Sequence, residues 1–319
     1  MKNFKEKIAV ITGAGTGIGR NLASQLAAEG CHVAICDVLT ENLNTTIQIC
    51  NDIAPAGTLI TAHTCDVSDE TQVIAFCEAV KQQHQTEHIN LLFNNAGIGG
   101  GPSFLLSDRD EWERTFGVDW FGVYYCARAF MPLLVASSEG HLINTSSVNG
   151  FWACLGPHTA HTAYCTAKFA VKGFSEALLV DLRMNAPHVK VSVVMPGHIG
   201  TEIIANTNKI LGAPKPADMT AEDLMPFRQW LEKQQISTEN ISDDELRAMI
   251  ELNNDNFTNN APLSAAQAAT IILDGVRDEK WRILVGDDAH ALDQQVRDDP
   301  ETAYELSFIE KMLSFLPST

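Results

Sequence analysis

Short, unbroken apolar runs recur along this chain, and most are followed by a longer stretch with helical spacing. Ile8–Ile11, Val33–Cys36, residues 58–64, Leu91–Phe93, Leu142-Ile143, Val189–Met195 and Arg282–Val285 read as strands. Residues 17–29, a segment from about Asp69, residues 109–134 and a segment through Tyr164 to about Met184 read as helices. A strand that is apolar at consecutive positions has no face for water, so helices must cover both sides of its sheet. Strands alternating with helices are joined by crossovers, which make neighbouring strands parallel. The expected fold class is therefore α/β, a doubly wound parallel sheet of about seven strands with helices on both faces. A chain of 319 residues with 45% hydrophobic and 19% charged residues can bury such a core.

The first strand runs into Thr12-Gly13-Ala14-Gly15-Thr16-Gly17-Ile18-Gly19 and then a helix. Gly13 and Gly15 permit a tight turn. Gly17 and Gly19 let backbone and helix approach a pyrophosphate, which the helix N-terminus stabilises. A glycine pattern alone is a weak signal, and the strand before it and helix after it supply the context. Asp37 ends the second strand, where a carboxylate takes ribose hydroxyls and repels a 2′-phosphate. Neither Val38 nor Thr16 offers a positive charge, so the expected cofactor is NAD (NAD+/NADH) rather than NADP.

Tyr164-Cys165-Thr166-Ala167-Lys168 places a phenol and an ammonium one helical turn apart. An ammonium held beside a phenol favours the phenolate, so the pair is expected to lower the tyrosine pKa and exchange a proton near neutrality. Ser146-Ser147 precede it.

Taken together, these motifs resemble the short-chain dehydrogenase/reductase family, closely over about residues 6–201 and loosely to 286. The loop Thr12 to Gly19 is similar to the family's T-G-x-x-x-G-x-G, and Tyr164 with Lys168 to its Y-x-x-x-K. Asp66-Val67 resembles the adenine-contacting pair, and Asn94-Asn95-Ala96-Gly97 the N-N-A-G that supports the sheet and the cofactor ribose. Pro196-Gly197-His198-Ile199-Gly200-Thr201 resembles the P-G-x-x-x-T that meets the nicotinamide. The resemblance implies a Rossmann-type fold and makes Ser147 the catalytic serine. It implies that Tyr164 passes the alcohol proton while hydride moves to or from the nicotinamide, that Lys168 also binds the nicotinamide ribose, and that Ser147 stabilises the substrate oxygen. It also implies a homotetramer or homodimer packed through the long helices. Two departures stand out. Asp119 occupies the place of the family's asparagine, whose role is largely that of its backbone carbonyl in a proton relay; and the segment between Ser147 and Tyr164 is a few residues longer than usual.

The whole chain, 1–319, reads as one domain with two additions. Residues 198–262 carry two amphipathic pieces, near 220–234 and 242–253, and read as a lid over the strands' carboxyl ends. Residues 287–319 read as a helical extension that docks through Phe308, Met312, Leu313 and Phe315, with an oligomer contact as the alternative. Trp152, His158, His198 and Ile203 are the expected substrate-lining residues. Phe104, Phe151, Leu155, Ile204, Ile210, Leu211, Phe227 and Trp230 add apolar character nearby, which fits a hydrophobic secondary alcohol or ketone or plain core packing equally. His158 and His161 have no carboxylate or cysteine nearby to complete a metal set, so no metal is expected.

The net charge of −18 disfavours nucleic acid and anionic membranes as partners. No apolar run approaches membrane-spanning length, the N-terminus lacks a secretory pattern, and eight scattered cysteines fit reduced thiols, so a cytoplasmic location is expected. The function expected is NAD(H)-dependent alcohol/ketone interconversion. A cofactor-retaining epimerase or dehydratase stays open, as does a non-catalytic dinucleotide-binding protein, against which the presence of both Tyr164 and Lys168 argues.

Overall fold

A computed structural model describes residues 1–156 and 159–313. The first half alternates as its pattern requires. β1 (Ile8–Thr12), α1 (Gly17–Ala28), β2 (His32–Asp37), α2 (Thr40–Ile53), β3 (Ile60–Thr64), α3 (Glu70–His84) and β4 (Leu91–Asn94) come first. Then follow α4 (Arg109–Phe116), α5 (Gly122–Ala136), β5 (Gly140–Thr145), α6 (Thr162–Asn185) and β6 (Val189–Pro196). The second half carries β7 (Ile199–Gly200), α7 (Ile203–Ile210), α8 (Ala221–Lys233), α9 (Asp243–Asn259), β8 (Leu263–Ser264), α10 (Ala265–Arg277), β9 (Arg282–Val285), α11 (Asp287–Asp298) and α12 (Leu306–Leu313).

Seven strands form one parallel sheet in the order β3-β2-β1-β4-β5-β6-β9. The side-chain period of two sends alternate residues of β1 to opposite faces. Ala9 and Ile11 join one core with Leu22, Leu26 and Ile272, while Ile8 and Val10 join a second with Phe76, Phe130 and Leu134. Helices α1, α2 and α10 thus cover one face, and α3, α5 and α6 the other. The strand order reverses between β1 and β4, which opens a crevice beyond their carboxyl ends.

The helix anticipated over 109–134 is interrupted. Gly117–Phe121 is a π-helical turn between α4 and α5, closed by a bond from the Gly122 amide to the Gly117 carbonyl. The extra residue shifts the side-chain register, and Val118 and Asp119 point inward.

Beyond β6 the chain makes a second, two-stranded sheet that its sequence pattern does not announce. Ile199 and Gly200 pair with Leu263 and Ser264 at the neck of the insertion. The insertion has its own small core of Leu224, Leu231 and Leu246 with Phe227 and Met249 against them. Its helices start on reciprocal caps, Thr220 with Asp223 and Ser242 with Glu245. The Arg228 guanidinium pairs with Asp243 at 2.7 Å across α8 and α9.

Candidate active site

The loop from β1 and the loop from β4 meet at the crevice. Gly13 has φ +63°, and a Cβ there would lie 2.6 Å from the Ala96 Cα, so the two loops approach as only glycine allows. Asn95 ties them further, its side-chain amide donating to the carbonyls of Thr12 at 3.1 Å and Gly13 at 3.2 Å. Behind them the buried Asn94 amide donates to Asn144 Oδ1 at 2.9 Å, linking β4 to β5. Gly19 sits where a Cβ would collide with the Gly13 carbonyl, which lets α1 press against the loop.

A cavity of about 620 Å³ runs from this loop to Tyr164. Of the expected cofactor contacts, Gly13, Thr16, Gly17, Ile18, Asp37, Asp66, Val67, Asn95, Ala96 and Gly97 line it, as do Tyr164, Lys168, Pro196, Gly197, Ile199 and Thr201. Gly15 and Gly19 are not among its lining residues and act from behind the loop; Gly15 donates its amide to Asp37 Oδ2 at 2.7 Å. Asp37 Oδ1 accepts from the Leu39 amide at 2.9 Å, so the carboxylate is held at the end of β2. The carboxylate at Asp37 and the glycine cradle are the features a dinucleotide with free ribose hydroxyls requires. The cations lining the cavity, among the described residues, are Arg114 and Lys168. Arg114 pairs with Asp66 at 2.7 Å.

Ser147, just past β5, and Tyr164 and Lys168, on the first turns of α6, face the same cavity. Ser147 Oγ accepts from the Asn149 amide at 3.1 Å, which leaves its hydroxyl proton to be donated. It points at the Tyr164 phenol and pulls that pKa down, but burial and then the charge of Asp119 outweigh it, so the phenol is held above its usual value. This corrects the expectation that Lys168 lowers it. The Lys168 ammonium lies 5.2 Å from the Tyr164 ring centroid. It donates to the Thr145 carbonyl at 3.3 Å and faces Asp119 Oδ1 at 3.6 Å.

Asp119 stands one layer behind the cavity wall, fully buried and off its lining. Its Oδ1 accepts from the Ile98 amide at 2.9 Å, and its Oδ2 has no partner among the described residues. Burial raises its carboxyl to about 6, against the opposing pull of Lys168. The side chain, and not only the backbone carbonyl the resemblance assigns, is therefore engaged with the lysine.

Trp152, His198 and Ile203 line the cavity as anticipated, while His158 lies outside the described residues. His161 takes the place beside the reacting groups, its ring 4.7 Å from that of Tyr164 and kept neutral by burial, with its pKa lowered to about 4. The His198 ring is turned to the insertion, Nε2 within 2.8 Å of the Phe257 carbonyl. Leu155, Ile204 and Ile210 also reach the cavity; Phe151, Leu211, Phe227 and Trp230 do not line it, and Phe104 is 74% exposed. Phe257, Leu292 and Met312 line it without having been singled out for it, because only tertiary folding brings them there.

The model of the family described as short chain dehydrogenase matches residues 7–211. The chain belongs to the short-chain dehydrogenase/reductase family. A curated member, the putative oxidoreductase SadH of Mycobacterium tuberculosis, is 32% identical over 297 residues, covering 93% of this chain and 92% of that protein. Epidermal retinol dehydrogenase 2 of Mus musculus is 34% identical over 201 residues, 63% of this chain and 62% of that one. Among solved members, a short-chain dehydrogenase/reductase from Burkholderia phymatum in complex with NAD is 28% identical. It superposes with a TM-score of 0.72 over 95% of each chain. A metagenomic short-chain oxidoreductase in complex with NADP is 31% identical with a TM-score of 0.54, covering 61% of this chain and 83% of that one. The short-chain dehydrogenase match ends within a few residues of α7, so α8, α9, β8, α10, β9, α11 and α12 all lie beyond the matched segment.

Proposed function

We propose that this protein is a NAD(H)-dependent dehydrogenase that interconverts an uncharged, apolar secondary alcohol and its ketone. The observation that carries this reading is the convergence of Tyr164, Ser147 and Lys168 on one cavity whose further lining is largely apolar. The glycine cradle, Asp37 and the pair Asp66-Val67 would hold the adenosine half of the cofactor, and Asn95, Tyr164, Lys168 and the Pro196–Thr201 segment its nicotinamide half. When bound, the nicotinamide ring supplies the carbon that accepts or returns hydride.

The proton chemistry belongs to the chain. Ser147 donates a hydrogen bond to the substrate oxygen and holds that oxygen against the Tyr164 Oη. In oxidation Tyr164 Oη takes the alcohol proton, and in reduction it gives one to the carbonyl oxygen. Lys168 would hold the ribose hydroxyls beside the phenol, its ammonium 5.2 Å from the Tyr164 ring centroid. The relative named for retinol supports an apolar alcohol, and the neighbour in complex with NAD supports the cofactor.

Asp37 decides between the cofactors by repelling a 2′-phosphate. A panel of lipophilic secondary alcohols assayed with NAD and with NADP tests the reading. Turnover with kcat/KM favouring NAD is expected; activity confined to polar sugars, or a clear NADP preference, would contradict it.

A further inference from the structure

The general family match accounts for the reacting groups, yet part of the cavity wall comes from chain beyond it. Leu292 of α11 and Met312 of α12 both face the cavity that holds Tyr164 and Ser147. They are fixed there by Trp152, which lies in the lengthened connection between those two residues. Trp152 Nε1 donates to the Ala303 carbonyl at 2.7 Å, and its ring meets Phe308 edge-on at 6.0 Å between centroids. The Ala153 amide donates to the Tyr304 hydroxyl at 3.0 Å. Trp152, Cys154, Ala303, Phe308, Ile309 and Met312 are all buried in one cluster, so the apolar face of α12 is used within the chain.

We propose that α11 and α12 form the substrate-selecting wall of the enzyme, with Met312 as the residue that sets how large an apolar group fits beside the reacting carbon. The inference rests on the dehydrogenase reading above and deepens it. The wall is on the substrate side because it is built on Trp152, Ala153 and Cys154, in the connection that leads from Ser147 to Tyr164, and not on the β1 and β4 loops of the glycine cradle. Its chemistry excludes an anionic substrate body: the cations lining the cavity, among the described residues, are Arg114, paired with Asp66, and Lys168, facing Asp119. A buried anion there would have no counter-charge to offset its desolvation. A methionine wall is unbranched and adaptable, so it admits a range of apolar shapes up to a size limit.

The experiment compares Met312→Ala, Met312→Trp and Leu292→Ala with the parent on a homologous series of secondary alcohols, with NAD affinity titrated alongside. Each methylene in an apolar pocket changes discrimination by about tenfold or more. The ratio of kcat/KM for bulky over compact alcohols is expected to rise about tenfold in Met312→Ala and Leu292→Ala and to fall about tenfold in Met312→Trp, with the NAD Kd unchanged. Ratios that stay at the parent value in variants that still bind NAD would overturn the wall. If Met312→Trp does not fold, the two alanine variants decide by themselves. A parent that binds NAD but oxidises no member of the series, and reduces none of the corresponding ketones, would instead overturn the dehydrogenase reading, a result separable from failure of the wall.

Discussion

Asp119 places a fully buried carboxylate 3.6 Å from the Lys168 ammonium and leaves Oδ2 unpartnered among the described residues. Its negative charge does two things. It occupies the lysine, and it raises the Tyr164 pKa, since an anion beside a phenol opposes a second anion. Asparagine at 119 would keep the Oδ1 that accepts from Ile98 and remove the charge. In Asp119→Asn the midpoint of the pH–kcat/KM profile for alcohol oxidation should move to lower pH; a midpoint that stays in place would contradict the coupling. The same carboxyl carries a stability prediction. Its pKa rises from 3.8 unfolded to about 6 folded, so the folded state binds the extra proton. The stability it contributes is therefore complete below about pH 4 and is lost as pH rises through 6. Thermal midpoints of parent and Asp119→Asn measured across that window should diverge toward neutrality, and parallel curves would refute the assignment. That Asp119 departs from the family pattern is legible in the sequence. The consequence is not, because the register shift of a π-helical turn aims the carboxylate at Lys168.

At the scale of elements, α7 clasps the cofactor loop. Asn206 donates to Thr16 Oγ1 at 2.9 Å, and the Gly99 amide donates to Thr207 Oγ1 at 2.8 Å. The insertion anticipated as a lid is thus tied to the loops from β1 and β4, while its outer helices are held by their own core. A side-chain hydrogen bond of this kind is worth about 1 kcal/mol net. Asn206→Ala should weaken NAD binding by about fivefold with little change in thermal midpoint. An unchanged dissociation constant would show that the clasp does not act on the cofactor. The amphipathic pieces near 220–234 and 242–253 were readable because capping residues and apolar spacing are local. The β7–β8 pairing was not, since each strand has two residues and gains its meaning only from a partner more than sixty positions away. The docking of α12 on Trp152 is non-local in the same way: Phe308 and Met312 could be named as docking residues, but not the surface they meet.

For the whole molecule, the parallel sheet follows from the covering of apolar strands on both faces, and its observed order β3-β2-β1-β4-β5-β6-β9 puts the crevice where β1 and β4 diverge. The glycine loop, Asp37, Ser147, Tyr164 and Lys168 were all nameable before folding because each belongs to a short motif, and the sheet delivers them to one cavity. The rest of that cavity was nameable only in part: Trp152, His198 and Ile203 were, whereas Phe257, Leu292 and Met312 reach it from the insertion and the C-terminal helices. The account as a whole stands on Tyr164 as the proton-exchanging group. Its most direct test is Tyr164→Phe, assayed for NAD-linked alcohol oxidation with NAD affinity measured on the same preparation. The account predicts loss of nearly all kcat, on the order of the hundredfold or more that a positioned acid–base group supplies, with NAD still bound. Turnover retained near the parent rate would contradict it.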